Sequence, residues 1–103
     1  MPQYIYVLRL TRANMLTEGP TEFEAAAVDD HFIRLQRLAA DGVVFLAGRT
    51  LNSDATTFGI VVFAAENPEA AAEIVAADPA VRAGVMRAEL FPYQIAVWSN
   101  PEP

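Results

Sequence analysis

The only histidine of the chain, His31, has the side chain best suited to exchange a proton near neutral pH. It follows Asp29 and Asp30 directly, in the stretch AAVDDHFIRLQRL. Neighbouring positions on a helix point in different directions, so we expect these two carboxylates on the solvent side rather than at the imidazole. Two interpretations of His31 are open: a packed structural histidine with one nitrogen hydrogen-bonded, or a general acid–base catalyst.

A second candidate partner for His31 is Asp78, in the pair Asp78-Pro79, which is 47 residues later in the sequence. An Asp-Pro pair is commonly a helix cap, which is the structural interpretation of this residue. In the functional interpretation the carboxylate binds one nitrogen of His31, which fixes the tautomer and raises the basicity of the other nitrogen. Such a pair would suit proton abstraction from a small substrate.

Three arginines near strand ends are candidates for binding an anionic substrate group. Arg9 and Arg12 stand at and just beyond the end of the first predicted strand, and Arg49 ends the second. A guanidinium can hold a carboxylate through two hydrogen bonds, although solvated arginines are also common at strand ends. Tyr6, like Tyr4, is expected to form the wall of a substrate pocket or of a dimer core.

The composition narrows the classes of partner. The 103 residues carry 7 basic and 13 acidic side chains, a net charge of −6, which argues against nucleic acid and anionic membranes. The N-terminal MPQYIYVLRL lacks a signal-peptide pattern, and no apolar run approaches the roughly 20 residues of a membrane span. We therefore expect a cytoplasmic protein.

The composition also limits cofactor chemistry. The chain has no cysteine, so disulfides, thiolate nucleophiles and cysteine-ligated zinc are excluded. One histidine among scattered carboxylates has no metal-ligand spacing, and neither AGRT nor FGIVV has the spacing of a phosphate-binding loop. We expect neither a metal nor a nucleotide cofactor.

The elements that must position these residues follow from hydrophobic periodicity. Four runs rich in β-branched and aromatic residues predict strands at 3–10, 43–50, 56–65 and 88–98. Pro92 implies that the last strand is an edge strand or bulged, because proline has no N–H to donate. Both faces of the first strand are mostly apolar, as in a strand that is covered on two sides.

Two helices separate these strands. Thr21 and Glu24 form a capping box, and the helix that begins there is predicted to run over 21–41 and stop at Gly42. Asn67 caps the second helix, which extends to Asp78 and is followed by a short turn that Asp78 caps. On the first helix the spacing predicts an inward stripe consisting of Phe23, Ala27, His31, Leu35 and Leu38.

The resulting order, βαββαβ, is the split βαβ arrangement, a ferredoxin-like α+β fold. It places two helices on one face of a four-stranded antiparallel sheet and leaves the other face open. Because the strands are apolar on both faces, we expect a homodimer in which two sheets pack face to face. One domain spans 1–98, and SNPEP (99–103) forms a solvated tail.

The sequence resembles the YciI-like family, also called the YCII-related domain, over most of its length. The resemblance rests on HFIRL in the first helix, DGVVFLAG, FGIVVF, and above all ADPAVRAG followed by VMRAELFPY. It implies a dimeric α+β barrel and an active-site pair formed by His31 and Asp78. One branch of the family includes a dehydrochlorinase acting on a chlorinated hydroxyhydroquinone. The chain departs from the family at Arg49, where proline is frequent, and at Ala80, where an aromatic residue is frequent.

Two classes of function follow. In the first, the chain is a cofactor-free enzyme in which His31 moves a proton in an elimination or isomerisation of a small cyclic or aromatic oxygenated substrate. Asp78 would orient His31, and one of the arginines would hold an anionic group. In the second, the same fold is a non-catalytic module that binds a small molecule or a partner, with His31 and Asp78 as a structural pair. A cofactor-free monooxygenase is a third, less favoured alternative.

Overall fold

The computed structural model describes residues 1–99, in which the strands and long helices follow the predicted order. A short helix that the sequence did not predict precedes the first long helix, and the predicted turn after Asp78 is a second short helix. In chain order the elements are β1 (Gln3–Leu10), α1 (Met15–Glu18), α2 (Glu22–Ala40), β2 (Val44–Arg49), β3 (Gly59–Ala64), α3 (Pro68–Ala76), α4 (Pro79–Arg82) and β4 (Met86–Tyr93).

The four strands form one antiparallel sheet in the order β2-β3-β1-β4. This order, with the helices between the strands, confirms the predicted ferredoxin-like α+β fold. Pro92 lies in β4 at the edge of the sheet, where its missing N–H leaves no ladder bond broken. In the part of the chain that the structure describes, no helix is both long and apolar enough to span a membrane.

The last strand ends earlier than predicted. β4 stops at Tyr93 because Tyr93 pairs with Gln3, the first residue of β1, and residues beyond it have no strand to pair with. Val97 and Trp98 are accordingly exposed. The predicted tail, apart from Ser99, lies outside the described residues. β3 also starts later than predicted, at Gly59, since the carboxylate of Asp54 holds the preceding residues in a turn.

The predicted capping box of α2 is confirmed. The Thr21 hydroxyl accepts from the Glu24 N–H at 3.1 Å, and Glu24 Oε1 accepts from the Thr21 N–H at 2.9 Å. The predicted inward stripe was wrong at Phe23, which is 64% exposed, whereas Glu24 is buried. The guanidinium of Arg12, which is partly exposed, binds the carboxylate of Glu24, so Glu24 is covered and Phe23, one position earlier, points to solvent.

The core lies between the helices and one face of the sheet. Tyr4, Tyr6 and Leu8 alternate along β1 on this face, where Phe63 packs against both tyrosine rings at 5.9 and 5.7 Å between centroids. The intervening residues of β1 lie on the opposite, open face of the sheet. Any site built from α2 and the inner sheet face is therefore enclosed by the same layers that form the core.

Candidate active site

The structure brings His31 and Asp78 into direct contact. His31 lies near the middle of α2 on its inward face, and Asp78 immediately precedes α4, which packs against α2. Nδ1 of His31 lies 2.8 Å from both Oδ1 and Oδ2 of Asp78. Both residues are buried, Asp78 almost completely at 1% exposure. The imidazole and the carboxylate therefore form a buried hydrogen-bonded pair.

Asp78 is fixed in place by two further donors. The Tyr6 hydroxyl donates to Oδ2 at 2.8 Å, and the backbone N–H of Ala80 donates to Oδ1 at 3.0 Å. The second bond makes Asp78 the N-cap of α4, and Pro79 occupies the first helical position, where no N–H is needed. β1, α2 and α4 thus each contribute one contact that orients this carboxylate.

Electrostatics keep the carboxyl of Asp78 charged and the phenol of Tyr6 neutral. Burial acts to raise the pKa of Asp78, but the hydrogen bonds and charge of His31, with the donors Tyr6 and Ala80, outweigh burial and hold this pKa below its ordinary value. Burial, followed by the negative charge of Asp78, raises the pKa of Tyr6 well above its ordinary value.

The charge on Asp78 fixes the tautomer of His31. An ionised carboxylate only accepts hydrogen bonds, so the proton of a neutral imidazole sits on Nδ1, facing Asp78. Nε2 is then the nitrogen with the free lone pair. This is the arrangement in which an imidazole accepts a proton from a neighbouring molecule.

A large cleft adjoins His31. Its volume is about 690 Å³, which falls within the about 300–1,000 Å³ range of small-molecule sites. The cleft lies between α2, with α1 beside it, and strands β1, β2 and β3. His31 lines it, whereas Asp78 and Tyr6 are not among the lining residues. The lining is mostly apolar, with side chains such as Leu8, Leu35 and Val61. An apolar molecule in this cleft would meet an imidazole supported from behind by a carboxylate.

Few polar side chains line the cleft, and Arg49 is the cationic one on the inner face of the sheet. Arg49 pairs with Gly59, which in turn pairs with Leu8, so all three positions share the face that points toward α2. β2 is exposed beyond Val44, which opens the cleft along this edge. The further polar residues of the lining are Arg9, Asp29, Gln36 and Thr57.

The other two predicted substrate-binding arginines are placed differently. Arg9 also lines the cleft, but it alternates with Leu8 along β1, and its guanidinium carbon lies 5.5 Å from the centroid of the Phe58 ring, another lining residue. Arg12 donates to both carboxylate oxygens of Glu24, at 2.9 and 2.6 Å, and to Glu18 at 3.2 Å. The guanidinium of Arg12 is therefore already bound to carboxylates of the protein itself.

Tyr6 has a role that sequence reasoning missed. It was expected in the wall of a substrate pocket or of a dimer core, but its side chain is fully buried and its hydroxyl is bound to Asp78. The signal was available in β1: a tyrosine on the buried face of a strand needs a partner for its hydroxyl. Only the packing of α4 on the sheet identifies that partner as Asp78.

The described residues 1–99 contain no group of three or more histidine, cysteine or acidic side chains arranged to hold a metal ion. The polar centre of the site therefore consists of one imidazole, one carboxylate and one phenol.

Comparisons with known proteins place this geometry in context. A model of the YCII-related domain family matches residues 5–94. The search of curated proteins finds no match. Among solved structures, the fold is similar to that of TftG, a 5-chloro-2-hydroxyhydroquinone dehydrochlorinase from Burkholderia phenoliruptrix AC1100 in complex with 2,5-dihydroxybenzoquinone. The TM-score is 0.63, with 19% identity over 88% of this chain and 93% of that chain.

A hypothetical protein of Arabidopsis thaliana, solved in solution, is a more distant match. Its TM-score is 0.45, with 16% identity over 96% of this chain and 92% of that chain. At these identities the likeness to the dehydrochlorinase shows a shared fold.

Proposed function

The chain belongs to the YCII-related domain family, and from the site described above we propose that it is a cofactor-free acid–base enzyme with His31 as the proton-transfer group. The observation that carries the proposal is the 2.8 Å bond between Nδ1 and the buried Asp78 carboxylate, made by an imidazole that also lines a large apolar cleft. Asp78 is the positioning residue, and Tyr6 positions Asp78 in turn.

The reaction class is elimination or isomerisation. In an elimination, Nε2 takes a proton from the substrate, the electron pair left behind forms the new double bond, and a leaving group departs with its own electron pair. Asp78 stabilises the imidazolium that forms, and the imidazolium then releases its proton to water. In an isomerisation the same proton returns to a different carbon. Neither reaction needs an oxidant or a reductant.

The lining of the cleft favours a small cyclic or aromatic oxygenated substrate. Apolar side chains from α2 and the sheet suit a flat ring, and Arg49 on the same face suits a phenolate or carboxylate. The neighbouring dehydrochlorinase, which shares the fold, is named for a chlorinated hydroxyhydroquinone. Chlorinated hydroxyquinols and related lactones are therefore the first substrates to assay.

The test is turnover of these compounds by three variants. We expect His31→Ala to lose activity and Asp78→Asn to lower kcat/KM by about a hundredfold or more, because the amide cannot stabilise the imidazolium. Glu73→Gln, a carboxylate-to-amide change on the exposed side of α3, is the matched control and should leave turnover unchanged. Undiminished turnover by His31→Ala would remove His31 from the mechanism.

A non-catalytic binding module is the second candidate, and one observation favours it. Asp78 caps α4 and accepts from Tyr6, so the carboxylate would be satisfied in a purely structural role. Calorimetry with the same compounds distinguishes the two candidate functions. A binding module would bind a hydroxyquinol unchanged, whereas the enzyme would convert it and His31→Ala would bind it without conversion.

The homodimer expected from the two-sided strands is part of the proposal, as is a cytoplasmic location. Support for the dimer comes from the open face of the sheet, where Leu46 is 38% and Phe91 45% exposed. Covering apolar side chains on a sheet face is favourable because it removes them from water, and a second copy of the sheet offers a matching surface.

A further inference from the structure

A second groove lies on the helix layer, between α2 and α4. Its volume is about 700 Å³, and its lining contains no strand residue and no residue of the His31 cleft. The groove is thus separate from the candidate active site and from the open face of the sheet.

Positive charge is concentrated in this groove. Arg34, Arg37 and Arg82 line it, three of the seven basic residues in a chain whose net charge is −6. Asp30 is the acidic residue of the lining. Within residues 1–99, Arg12 is the only arginine that forms a salt bridge with a carboxylate. The groove therefore has three guanidinium groups and one carboxylate in its lining, and none of the three guanidinium groups forms a salt bridge within residues 1–99.

Arg34 is held rigidly among these three. Its Nη2 donates to the carbonyl of Ile74 at 2.9 Å, near the end of α3. Its Nη1 is buried and has no hydrogen-bond partner among the described residues. The hydrogen-bond partner of this half-buried guanidinium is a neutral carbonyl, and its surroundings screen a charge less than water does. This raises the attraction of the groove for an anion.

Apolar surface lies beside the arginines. Phe23 is 64% and Ile33 46% exposed, and Pro79 completes this side of the lining. Leaving such side chains in water is unfavourable, and covering them with a flat apolar group would contribute to binding. The groove thus offers guanidinium donors and an apolar platform together.

We propose that the groove between α2 and α4 is a binding site for a small organic phosphate, a phosphate monoester attached to a flat apolar group. Three guanidinium groups suit a phosphate because it carries a charge of about −1.5 to −2 and three strong acceptor oxygens. The exposed side chains of Phe23 and Ile33 take the apolar group. This site is distinct from the proposed substrate cleft, and it exists whether or not the chain is an enzyme.

The test is a titration of the full chain followed by amide chemical shifts in NMR spectra, with phenyl phosphate, inorganic phosphate and phenol as probes. We expect phenyl phosphate to shift amides at 30–37 and 79–83 saturably, inorganic phosphate to bind there at least tenfold more weakly, and phenol to leave these amides unchanged. Arg37→Gln and Arg82→Gln should each lower the affinity for phenyl phosphate by about tenfold, because each removes one charge-assisted hydrogen bond.

Arg49→Gln is the matched control, because Arg49 lines the other cleft. It should leave the affinity for phenyl phosphate at the groove unchanged. The proposal is overturned if the shifts map to the His31 cleft and disappear in Arg49→Gln, if Arg37→Gln and Arg82→Gln bind as the parent does, or if no saturable shift occurs. All three arginines that are varied are exposed, and the spectra report directly that each variant is folded.

Discussion

At Asp78 a single carboxylate fills two roles that the sequence presented as alternatives. Its Oδ1 caps α4 through the Ala80 N–H, and both its oxygens lie 2.8 Å from Nδ1 of His31. The roles are compatible because a carboxylate has about four acceptor positions, so it can accept from a backbone N–H, an imidazole and a phenol together. The bond that caps α4 thus also orients the carboxylate that binds His31.

Tyr6→Phe tests the support of Asp78 at this scale. Loss of the hydroxyl removes one donor to a buried charge, so we expect the free energy of unfolding to fall by about 1.5–3 kcal/mol. If Tyr6 acts by positioning, kcat should fall several-fold while KM changes little, because Tyr6 does not line the cleft.

Tyr4→Phe is the matched control for this variant. Tyr4 lies two residues earlier on the same strand face and packs on the same Phe63 ring, but it makes no side-chain hydrogen bond within residues 1–99. Urea unfolding should separate the two variants. Equal losses of stability would show that the hydroxyl of Tyr6 contributes nothing through Asp78.

At the scale of elements, the N-terminus of α2 is joined to β1 and α1 through Arg12. The guanidinium of Arg12 binds Glu24, the capping-box residue, and also Glu18 at the end of α1. The hydrogen bond from Arg12, followed by that from the Thr21 backbone, lowers the pKa of Glu24 to about 2. α1 contributes Met15 and Leu16 to the lining of the cleft, so this network also holds one wall of the candidate site.

The lowered pKa of Glu24 predicts an acid-sensitive contribution to stability. A carboxyl with a lowered pKa in the folded state stabilises the fold above its ordinary pKa of 4.5, and that contribution is lost as the pH falls through about 2. The parent chain should therefore unfold at higher urea concentration than Glu24→Gln at pH 7. The difference should shrink steadily below about pH 4.5.

Glu22→Gln serves as the control for this experiment, because Glu22 is an exposed carboxylate in the same helical turn. Its effect on the urea midpoint should be small at every pH. A difference between parent and Glu24→Gln that stays constant down to pH 2 would contradict the assignment of the network to the charged form of Glu24.

At the scale of the whole molecule, the two faces of the sheet differ in how far they are buried. Tyr4, Tyr6 and Leu8 are buried under the helices, whereas the alternate residues of β1 are only half-buried. On the same open face Phe91 pairs with Ile5 and remains 45% exposed. A small domain buries a limited fraction of its surface, so covering this face in a dimer would add substantially to its stability.

The dimer prediction is tested by light scattering at micromolar concentration. The parent chain should have twice the monomer mass, and Phe91→Asp should shift it toward the monomer because it places a charge in the interface. Phe23→Asp is the control: this phenylalanine is also exposed, but it lies on the helix layer. A parent chain that is monomeric, or a Phe23→Asp variant that dissociates as Phe91→Asp does, would contradict the sheet-to-sheet dimer.

The local chemistry of the sequence was sufficient to determine the four strands, the two long helices and their order, but not the short helix α1. The capping box at Thr21, the Asn67-Pro68 start and the alternation in β1 depend on neighbours within a few residues, and each appears in the structure as predicted. From the order βαββαβ the sheet topology follows, because few arrangements are compatible with it. Predictions that needed a distant partner were less successful, as the end of β4 shows: only its pairing with Gln3 decides where the strand stops.

The tertiary structure alone decided which side chains meet. Separation along the chain sets no distance in space, so the contact of His31 with Asp78 required α4 to pack against α2. The same packing made Tyr6 the second donor to Asp78, and the pairing of Arg12 with Glu24 turned Phe23 outward. Of the three candidate arginines, Arg9 and Arg49 line the His31 cleft, and of these two only Arg49 takes the inner face of the sheet, because strand register fixes which face each residue takes.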